Sequence, residues 1–148
     1  MIKFEKVNRI ETDLKLPERS TSFSAGYDFF NPEEVEIQAG QIKYVKTGIK
    51  SQFPEDRMLM LCNRSSNPKK KGLVLVNGVG IVDSDYYNNP DNEGEIAFAF
   101  MNITNQPVVL QPGEKLGQGI FIKFDMTEDD SVSNPHGTRA GGFGSTGV

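Results

Sequence analysis

Residues 78–95 read GVGIVDSDYYNNPDNEGE, and the interpretation of the whole chain starts from this stretch. An apolar, β-branched run with two glycines passes directly into an acidic cluster that contains Asp83, Asp85 and Tyr86. The glycines let a flat ligand come close to the main chain. A carboxylate at the end of an apolar strand can be partly desolvated, which makes it a better base. A buried strand followed by an ordinary polar loop fits the same residues, so the rest of the chain has to decide between the two interpretations.

Short apolar runs separated by turn signals follow one another along the chain. Asn77-Gly78 stands between two β-branched runs, residues 73–76 and 79–82, and this dipeptide predicts a β-hairpin. About ten such strands, with at most one short helix within residues 63–72, predict an all-β sandwich, jelly roll or barrel. The sequence has no internal repeat, so we expect residues 1–148 to form a single domain.

Composition and charge exclude several classes of function. The net charge of -4 at pH 7 argues against direct nucleic-acid binding, which needs a basic surface. Cys62 and His136 are the only cysteine and histidine, which excludes a disulfide within the chain and indicates a reducing compartment. A His/Cys zinc site could not be assembled from one of each without several carboxylates. A nucleophile–base pair is the alternative, but Cys62 ends an apolar run typical of a core strand, which favours an inert thiol. No run is long enough to span a membrane and residues 1–6 do not resemble a signal peptide, so we expect a cytoplasmic protein without membrane contact.

Four further stretches carry groups that suit a nucleotide. Residues 63–66 (NRSS) offer a guanidinium and two hydroxyls, which match phosphate oxygens. Residues 139–147 (RAGGFGSTG) offer a second guanidinium, hydroxyls, approachable glycine N–H groups and a phenyl ring that can stack on a base. Residues 25–28 (AGYD) end in a carboxylate suited to a metal, and residues 112–118 (PGEKLGQ) contain a turn. Each stretch alone is also an ordinary loop, and the tail alone is also a flexible terminus.

Taken in order, the five stretches resemble the five motifs of the homotrimeric dUTPase family, from about Ser24 to the C-terminus. The resemblance implies a distorted jelly-roll β-barrel with almost no helix, assembled as a homotrimer in which each of three active sites takes residues from all three chains. It also implies hydrolysis of dUTP to dUMP and pyrophosphate, by in-line attack of water on the α-phosphorus, with Mg²⁺ as cofactor. Such a reaction keeps uracil out of DNA and supplies dUMP for dTMP synthesis.

The resemblance implies roles for residues near the base and the sugar. Asp83 would orient and deprotonate the attacking water. Asn77, Gly80 and Ile81 would bind uracil, largely through the backbone. Tyr86 would lie against the deoxyribose and exclude a 2′-hydroxyl.

It also implies roles near the phosphates. Arg64 and Gln118 would be catalytic contacts to the phosphates, with Gln118 near the α-phosphate. Asp28 would join the water network around Mg²⁺, which the substrate phosphates mainly hold. Residues 125–148 would form an acidic linker and a mobile glycine-rich lid that reaches a neighbouring subunit. The other implied substrate contacts are Ser65, Ser66, Arg139, Phe143, Gly144, Ser145 and Thr146.

The chain departs from the family pattern at four places. Asn63 stands where the family usually has proline, and Gly117 replaces the commoner alanine. Arg139 is one residue closer to Phe143 than is usual. Tyr87–Glu93 is an insertion where the family commonly has one residue, and we expect it to form an acidic surface bulge.

Two other functions share some of these features. A dCTP deaminase has the same fold and an Arg-Ser-Ser motif, but the Asp83–Tyr86 pair and the glycine-rich tail favour the pyrophosphatase. The chain could also be a binding module that uses the nucleotide pocket to engage a regulatory protein. The Tyr87–Glu93 insertion would then be the contact surface, because extra loops commonly carry such contacts.

Overall fold

The computed structural model describes residues 1–130, and β-strands are the main regular structure in that range. Within it, the helical segments are a one-turn α-helix and a 3₁₀ turn. In chain order the elements are β1 (Lys3–Lys6), β2 (Tyr27–Phe30), β3 (Val35–Ile37), β4 (Ile42–Lys46), β5 (Ile49–Gln52), β6 (Arg57–Asn63), α1 (Asn67–Lys70), β7 (Leu73–Leu75), β8 (Gly80–Val82), the 3₁₀ turn (Ser84–Tyr86), β9 (Ala97–Asn102), β10 (Val108–Leu110) and β11 (Lys115–Lys123). The predicted all-β class with almost no helix is confirmed.

The described strands pair in an antiparallel manner and form four sheets. The two larger sheets have the strand orders β2-β11-β6-β8 and β4-β9-β7, and the two smaller ones are β1-β5 and β10-β3. No helix among residues 1–130 is long and apolar enough to cross a membrane.

A cluster of phenylalanines fills the core between the two larger sheets. Phe29, Phe98 and Phe100 are buried, with ring centroids 5.5 Å apart for Phe29–Phe98 and 6.0 Å apart for Phe98–Phe100. Full burial of one such side chain contributes about 1.5–3 kcal/mol. A Cβ on Gly117 would lie 2.3 Å from the Phe98 ring, so strand β11 can lie directly on the core only because this residue is glycine.

The hairpin predicted at Asn77-Gly78 is wrong. Strand β7 pairs with β9, whereas β8 pairs with β6, so the chain leaves one sheet and enters the other at this turn. The turn itself forms: Gly78 has φ of 75°, and its N–H donates to the Leu75 carbonyl at 3.1 Å. The dipeptide specifies the local turn, but the edges offered by β6 and β9 decide which strands pair. A cleft opens where β7 and β8 separate.

Strands β6, β8 and β11 also present apolar side chains away from the core. Ile120 pairs with Met60, Ile122 pairs with Met58, and Ile81 pairs with Met60 on its other side. These residues alternate with core-facing ones and are half-buried, except Ile81, which is exposed. We call these five residues the outer apolar face.

Candidate active site

A pocket of about 230 Å³ lies at the cleft where β7 and β8 separate, and we call it the β8 pocket. It brings together the five residues to which the sequence assigned base, sugar and water contacts: Asn77, Gly80, Ile81, Asp83 and Tyr86. The other lining residues are Tyr44, Leu61, Val82, Glu95, Ile96, Ala97 and Ala99. One chain therefore assembles this part of the predicted site without a partner.

The floor of the β8 pocket depends on Gly80. A Cβ at this position would lie 3.1 Å from the Cβ of Leu61 on the neighbouring strand, closer than ordinary van der Waals contact. Glycine lets β8 pack tightly on β6 and leaves its own backbone open to the pocket.

Asp83 follows β8 at the mouth of the pocket, just before the 3₁₀ turn. It has an extended backbone, and its carbonyl accepts the N–H of Tyr86 at 3.1 Å. The residue is exposed in this chain. The partial desolvation expected from the sequence is therefore not supplied by residues 1–130, because the strand ends before Asp83 and no described element covers it.

Tyr86 is buried, and its hydroxyl both donates and accepts a hydrogen bond within the chain. The hydroxyl donates to the carbonyl of Glu95 at 2.8 Å and accepts the side-chain N–H of Asn92 at 2.8 Å. Gly94 permits this arrangement, because a Cβ there would lie 2.3 Å from the Tyr86 carbonyl oxygen and φ is 78°. The ring is thus held at the pocket by the segment that follows it.

Glu95 lines the same pocket and is fixed by a bidentate ion pair. Arg9 donates to its two carboxylate oxygens at 2.7 and 2.6 Å, and the Gly48 N–H donates to one of them at 2.8 Å. The hydrogen bond to Glu95 raises the pKa of Arg9, so the guanidinium stays charged. Because Glu95 is buried, this pair anchors the backbone that accepts the Tyr86 hydroxyl.

The predicted phosphate and metal contacts lie elsewhere, around strands β2, β11 and β6. Asp28 on β2 is paired in register with Gln118 on β11, and Gln118 is paired with Cys62 on β6, one residue before the Asn63–Ser66 loop. We call this set the Asp28 group; its predicted members are Asp28, Arg64, Ser65, Ser66 and Gln118.

Asp28 is surrounded by donors and positive charge. The Ser20 hydroxyl donates to its Oδ2 at 2.6 Å, and Lys115 Nζ lies 3.0 Å from the same oxygen. Partial burial would raise the pKa of Asp28. The hydrogen bonds from Ser20 and Lys115, with the charges of Lys115 and Arg64, outweigh burial and hold the pKa below its ordinary value. The carboxylate is therefore ionised at neutral pH.

Gln118 and the Asn63–Ser66 loop are held by specific contacts. A Cβ on Gly26 would lie 2.1 Å from Gln118 Oε1, so Gly26 leaves the space that the amide occupies. The Gln118 Nε2 donates to the Asn63 carbonyl at 3.3 Å. Asn63 Oδ1 accepts the Arg64 N–H at 2.9 Å and the Asn67 Nδ2 at 2.7 Å. Where the family usually has proline, Asn63 fixes the loop by hydrogen bonds instead.

The Asp28 group does not line the β8 pocket. Both lie on the sheet β2-β11-β6-β8, but Gln118 is opposite Cys62 whereas Ile81 is opposite Met60 on the other edge of β6. Residues 1–130 contain no group of three or more His, Cys, Asp or Glu residues that could hold a metal ion. The predicted contacts Arg139, Phe143, Gly144, Ser145 and Thr146, and the predicted lid, lie outside the described residues.

The Tyr87–Glu93 insertion differs from the expected surface bulge, since much of it is bonded to the body of the protein. The Tyr87 hydroxyl donates to Glu5 at 2.6 Å. Glu93 pairs with Lys50 at 2.7 Å and accepts the Asn8 N–H at 2.9 Å. The hydrogen bonds from Lys50 and then Asn8 hold the pKa of Glu93 below its ordinary value. These partners come from distant parts of the sequence, which is why the insertion's own composition did not reveal them.

Several side chains at the site were missed in the sequence. Lys115 lies in the quoted stretch 112–118, three residues before Gln118, and a basic residue there was a usable signal. Ser20, Tyr44 and Asn92 carry no motif signal and are recognised only from the folded chain.

A family model described as dUTPase matches residues 12–147. The chain belongs to the dUTPase family. The family predicted from the five motifs is therefore confirmed.

Curated dUTPase relatives align over nearly the whole chain. The deoxyuridine 5′-triphosphate nucleotidohydrolase of Lactococcus lactis subsp. lactis is 45% identical over 146 residues, covering 98% of this chain and 97% of its own length. The protein of the same name from Rickettsia akari is 32% identical over 148 residues, covering 97% of this chain and 96% of its own length.

Solved dUTPase structures share the fold. The crystal structure of dUTPase from Streptococcus mutans superposes with a TM-score of 0.82 at 47% identity, covering 84% of this chain and 98% of that chain. A dUTPase of Staphylococcus bacteriophage 80alpha superposes with a TM-score of 0.72 at 19% identity, covering 100% of this chain and 99% of that one, which is a likeness of fold alone. The predicted jelly-roll type of dUTPase fold is confirmed.

Proposed function

We propose that this dUTPase family member hydrolyses dUTP to dUMP and pyrophosphate, and so keeps uracil out of DNA and supplies dUMP for dTMP synthesis in the cytoplasm. The observation that carries the proposal is the β8 pocket, which gathers Asn77, Gly80, Ile81, Asp83 and Tyr86 in a single cleft. The 45% identical relative, named for this activity, supports it.

The β8 pocket suits a flat base and a deoxyribose. The backbone around Gly80 is open to the pocket and can present N–H and C=O groups to uracil. The buried ring of Tyr86 has a fixed position and would lie against the sugar where a ribose carries its 2′-hydroxyl.

The reaction itself is mainly positioning and electrostatics. Asp83 would take the proton of the attacking water, and such general-base assistance contributes about 10²–10⁴-fold to a rate. Arg64, Ser65, Ser66 and Gln118 would bind the phosphate oxygens and stabilise the charge that develops on the leaving pyrophosphate.

Mg²⁺ fits this site as an ion carried chiefly by the substrate. Asp28 is an ionised carboxylate next to the Gln118 amide, and hard oxygen donors of this kind suit the hydration shell of magnesium. One carboxylate, rather than a cage of several, matches an ion held by phosphates and water. When bound, the metal would neutralise phosphate charge.

A homotrimer would complete the site. In one chain the Asp28 group and the β8 pocket are separate, so a nucleotide bound in the pocket needs phosphate contacts from another copy. The outer apolar face offers a surface that a second copy could cover. Sedimentation should give a trimer, and a fully active monomer would contradict the shared site.

We further propose that residues 1–148 form one domain in which residues 125–148 are an acidic linker and lid. From a neighbouring chain, Arg139, Ser145 and Thr146 would contact the γ-phosphate, with Phe143 and Gly144 over the uracil. Removal of residues 139–148 should lower turnover far more than the melting temperature. An equal loss of both would make the tail structural.

A second candidate function is regulatory protein binding through the insertion. Pro90 and Asp91 at its tip are exposed, whereas Asn89 is buried and Glu93 is bonded to Lys50. The contact surface would therefore be the tip alone. Replacing Pro90 and Asp91 should abolish capture of such a partner without changing turnover; capture that survives the replacement excludes this surface.

Pyrophosphate release with Mg²⁺ from dUTP, run beside dCTP, dTTP and UTP, tests the main proposal. We expect release from dUTP alone. Ammonia release from dCTP would support the deaminase instead. No release from any nucleotide, by a protein that still binds dUTP, would overturn the hydrolase and favour the binding module.

A further inference from the structure

The Tyr87–Glu93 insertion is held in a defined conformation by its own backbone. The Asn89 N–H donates to the Tyr86 carbonyl at 3.1 Å, and the Glu93 N–H donates to the Asn89 carbonyl at 2.7 Å. Asn88 and Glu93 both adopt positive φ, 57° and 65°, which is common for asparagine but rare for glutamate, so the contacts of Glu93 hold it there. The segment is therefore a folded unit attached directly to Tyr86.

Lys50 anchors this unit to the barrel. Its ammonium donates to Asn88 Oδ1 and to Glu93 Oε2, both at 2.7 Å, and Lys50 itself is buried. Removing either partner would leave the buried ammonium poorly compensated and would destabilise the fold. The base of the insertion is thus fixed relative to strand β5.

Asn92 connects the insertion to the β8 pocket by hydrogen bonds. Its Nδ2 donates to the Tyr86 hydroxyl at 2.8 Å, while its Oδ1 accepts the Gly94 N–H at 3.0 Å. Its backbone carbonyl accepts the Glu95 N–H at 3.1 Å. Since the Tyr86 hydroxyl also donates to the Glu95 carbonyl, the phenol is fixed from two sides by residues of one short segment.

We propose that Asn92 is a positioning residue that holds the Tyr86 phenol rigid and thereby sets the discrimination of this protein against ribonucleotides. The proposal rests on the function proposed above, in which Tyr86 lies against the deoxyribose. Exclusion of a single hydroxyl depends on the exact position of the ring, and the bond from Asn92 adds a second tether to a buried phenol that Glu95 already holds. Asn92 adds this tether without touching the substrate.

The test compares the ratio of kcat/KM for dUTP to kcat/KM for UTP among matched variants. Asn92→Ala removes both side-chain bonds, and Asn92→Asp keeps the shape and the acceptor for Gly94 but loses the donor to Tyr86. We expect each to lower the ratio by about tenfold, the worth of one ordinary hydrogen bond, with most of the change in the UTP constant. Asp91→Ala is the control, because it changes an exposed side chain of the same insertion and leaves the contacts of Lys50 with Asn88 and Glu93 in place.

The double variant separates positioning from general loosening. In a Tyr86→Phe background there is no hydroxyl for Asn92 to hold, so Asn92→Ala should cause no further loss of the ratio. An unchanged ratio in both Asn92 variants would overturn the proposal. So would an equal loss in Asp91→Ala, or a full further loss in the Tyr86→Phe background.

The result does not depend on turnover. Calorimetry with dUDP and UDP gives a separate ratio, that of the two dissociation constants, which can be measured for a protein that does not hydrolyse dUTP. Absence of turnover in the unaltered chain would therefore count against the proposed hydrolase only. A binding ratio that is the same in the unaltered chain and in the Asn92 variants would count against the role of Asn92.

Discussion

The β8 pocket and the Asp28 group differ in how far one chain completes them. In the pocket, Tyr86 and Glu95 are buried and bonded on several sides by their own chain. In the Asp28 group, Arg64 is half-buried and Ser65 is exposed, on a loop at the edge of the sheet. In the proposed function, the nucleoside pocket would therefore be complete within one chain, whereas the phosphate contacts would come from a second chain.

Replacing Asp83, the proposed general base at the β8 pocket, should have the largest effect on turnover. Asp83→Asn keeps the shape of the side chain and removes its ability to take a proton, so turnover of dUTP should fall by about 10²–10⁴-fold with dUTP affinity nearly unchanged. Single-turnover kinetics and calorimetry measure the two quantities. Strong residual turnover would remove Asp83 from its role.

Mixing two inactive variants tests whether the two regions meet across chains. Arg64→Ala should lower turnover by about 10²–10³-fold, as loss of one charged transition-state contact does. If Asp83 and Arg64 of one site come from different chains, then refolding Asp83→Asn with Arg64→Ala should restore about a quarter of the sites in an equal random mixture. No recovery, in mixtures shown to exchange subunits, would place both residues in one chain's site.

Adding one methyl group to each region should separate stability from activity. Gly94→Ala forces a Cβ against the Tyr86 carbonyl at a positive φ, so we expect the free energy of unfolding to fall by about 1–3 kcal/mol, together with turnover. Gly26→Ala meets side-chain atoms of Gln118, chiefly its movable amide, so turnover should fall with a smaller loss of stability.

Gly113→Ala is the matched control for Gly94→Ala. Gly113 has φ of 84° and no atom near its added Cβ, so this variant measures the cost of positive φ alone. Denaturant unfolding and pyrophosphate release give both readouts. A Gly94→Ala protein as stable as Gly113→Ala would show that the pocket backbone is not tightly packed.

The smallest effect concerns acid stability. The pKa of Asp28 in the fold is below its ordinary value of 3.8, so the ionised carboxylate stabilises the fold above that value, and the contribution is lost as pH falls through the folded pKa. The free energy of unfolding should therefore fall more in the wild type than in Asp28→Asn as the pH is lowered from about 5 to about 3. Parallel urea curves at the two pH values would contradict this.

The sequence predicted local chemistry better than it predicted partners. The strands, the Asn77-Gly78 turn and the grouping of Asp83 with Tyr86 follow from residues near one another in the chain. The pairing of β8 with β6 depends on a strand edge that a distant segment supplies, and the exposure of Asp83 depends on whether distant segments pack over it. Sequence spacing does not encode these, so the predicted hairpin was wrong, and the desolvation of Asp83 stays a prediction that one chain alone does not supply.

The insertion shows the same limit from another direction. Its acidic composition predicted a solvated bulge, but Glu93 and Tyr87 pair with Lys50 and Glu5, which are far away in the sequence. The sequence did not predict a role for Asn92, because the proposed role depends on the direction of its amide toward the Tyr86 hydroxyl. The five motifs were enough to identify the family, whereas the contacts of the insertion depend on side-chain directions that the sequence does not give.

The N-terminal segment contacts both the insertion and the segment that lines the β8 pocket. Strand β1 pairs with β5, Glu5 and Asn8 hold the insertion, and Arg9 holds Glu95 at the pocket. The family match begins at residue 12, so a clone trimmed to that boundary would discard all of these contacts. Affinity tags and labels therefore belong away from this end, since residues within the first ten contact the segment that lines the β8 pocket.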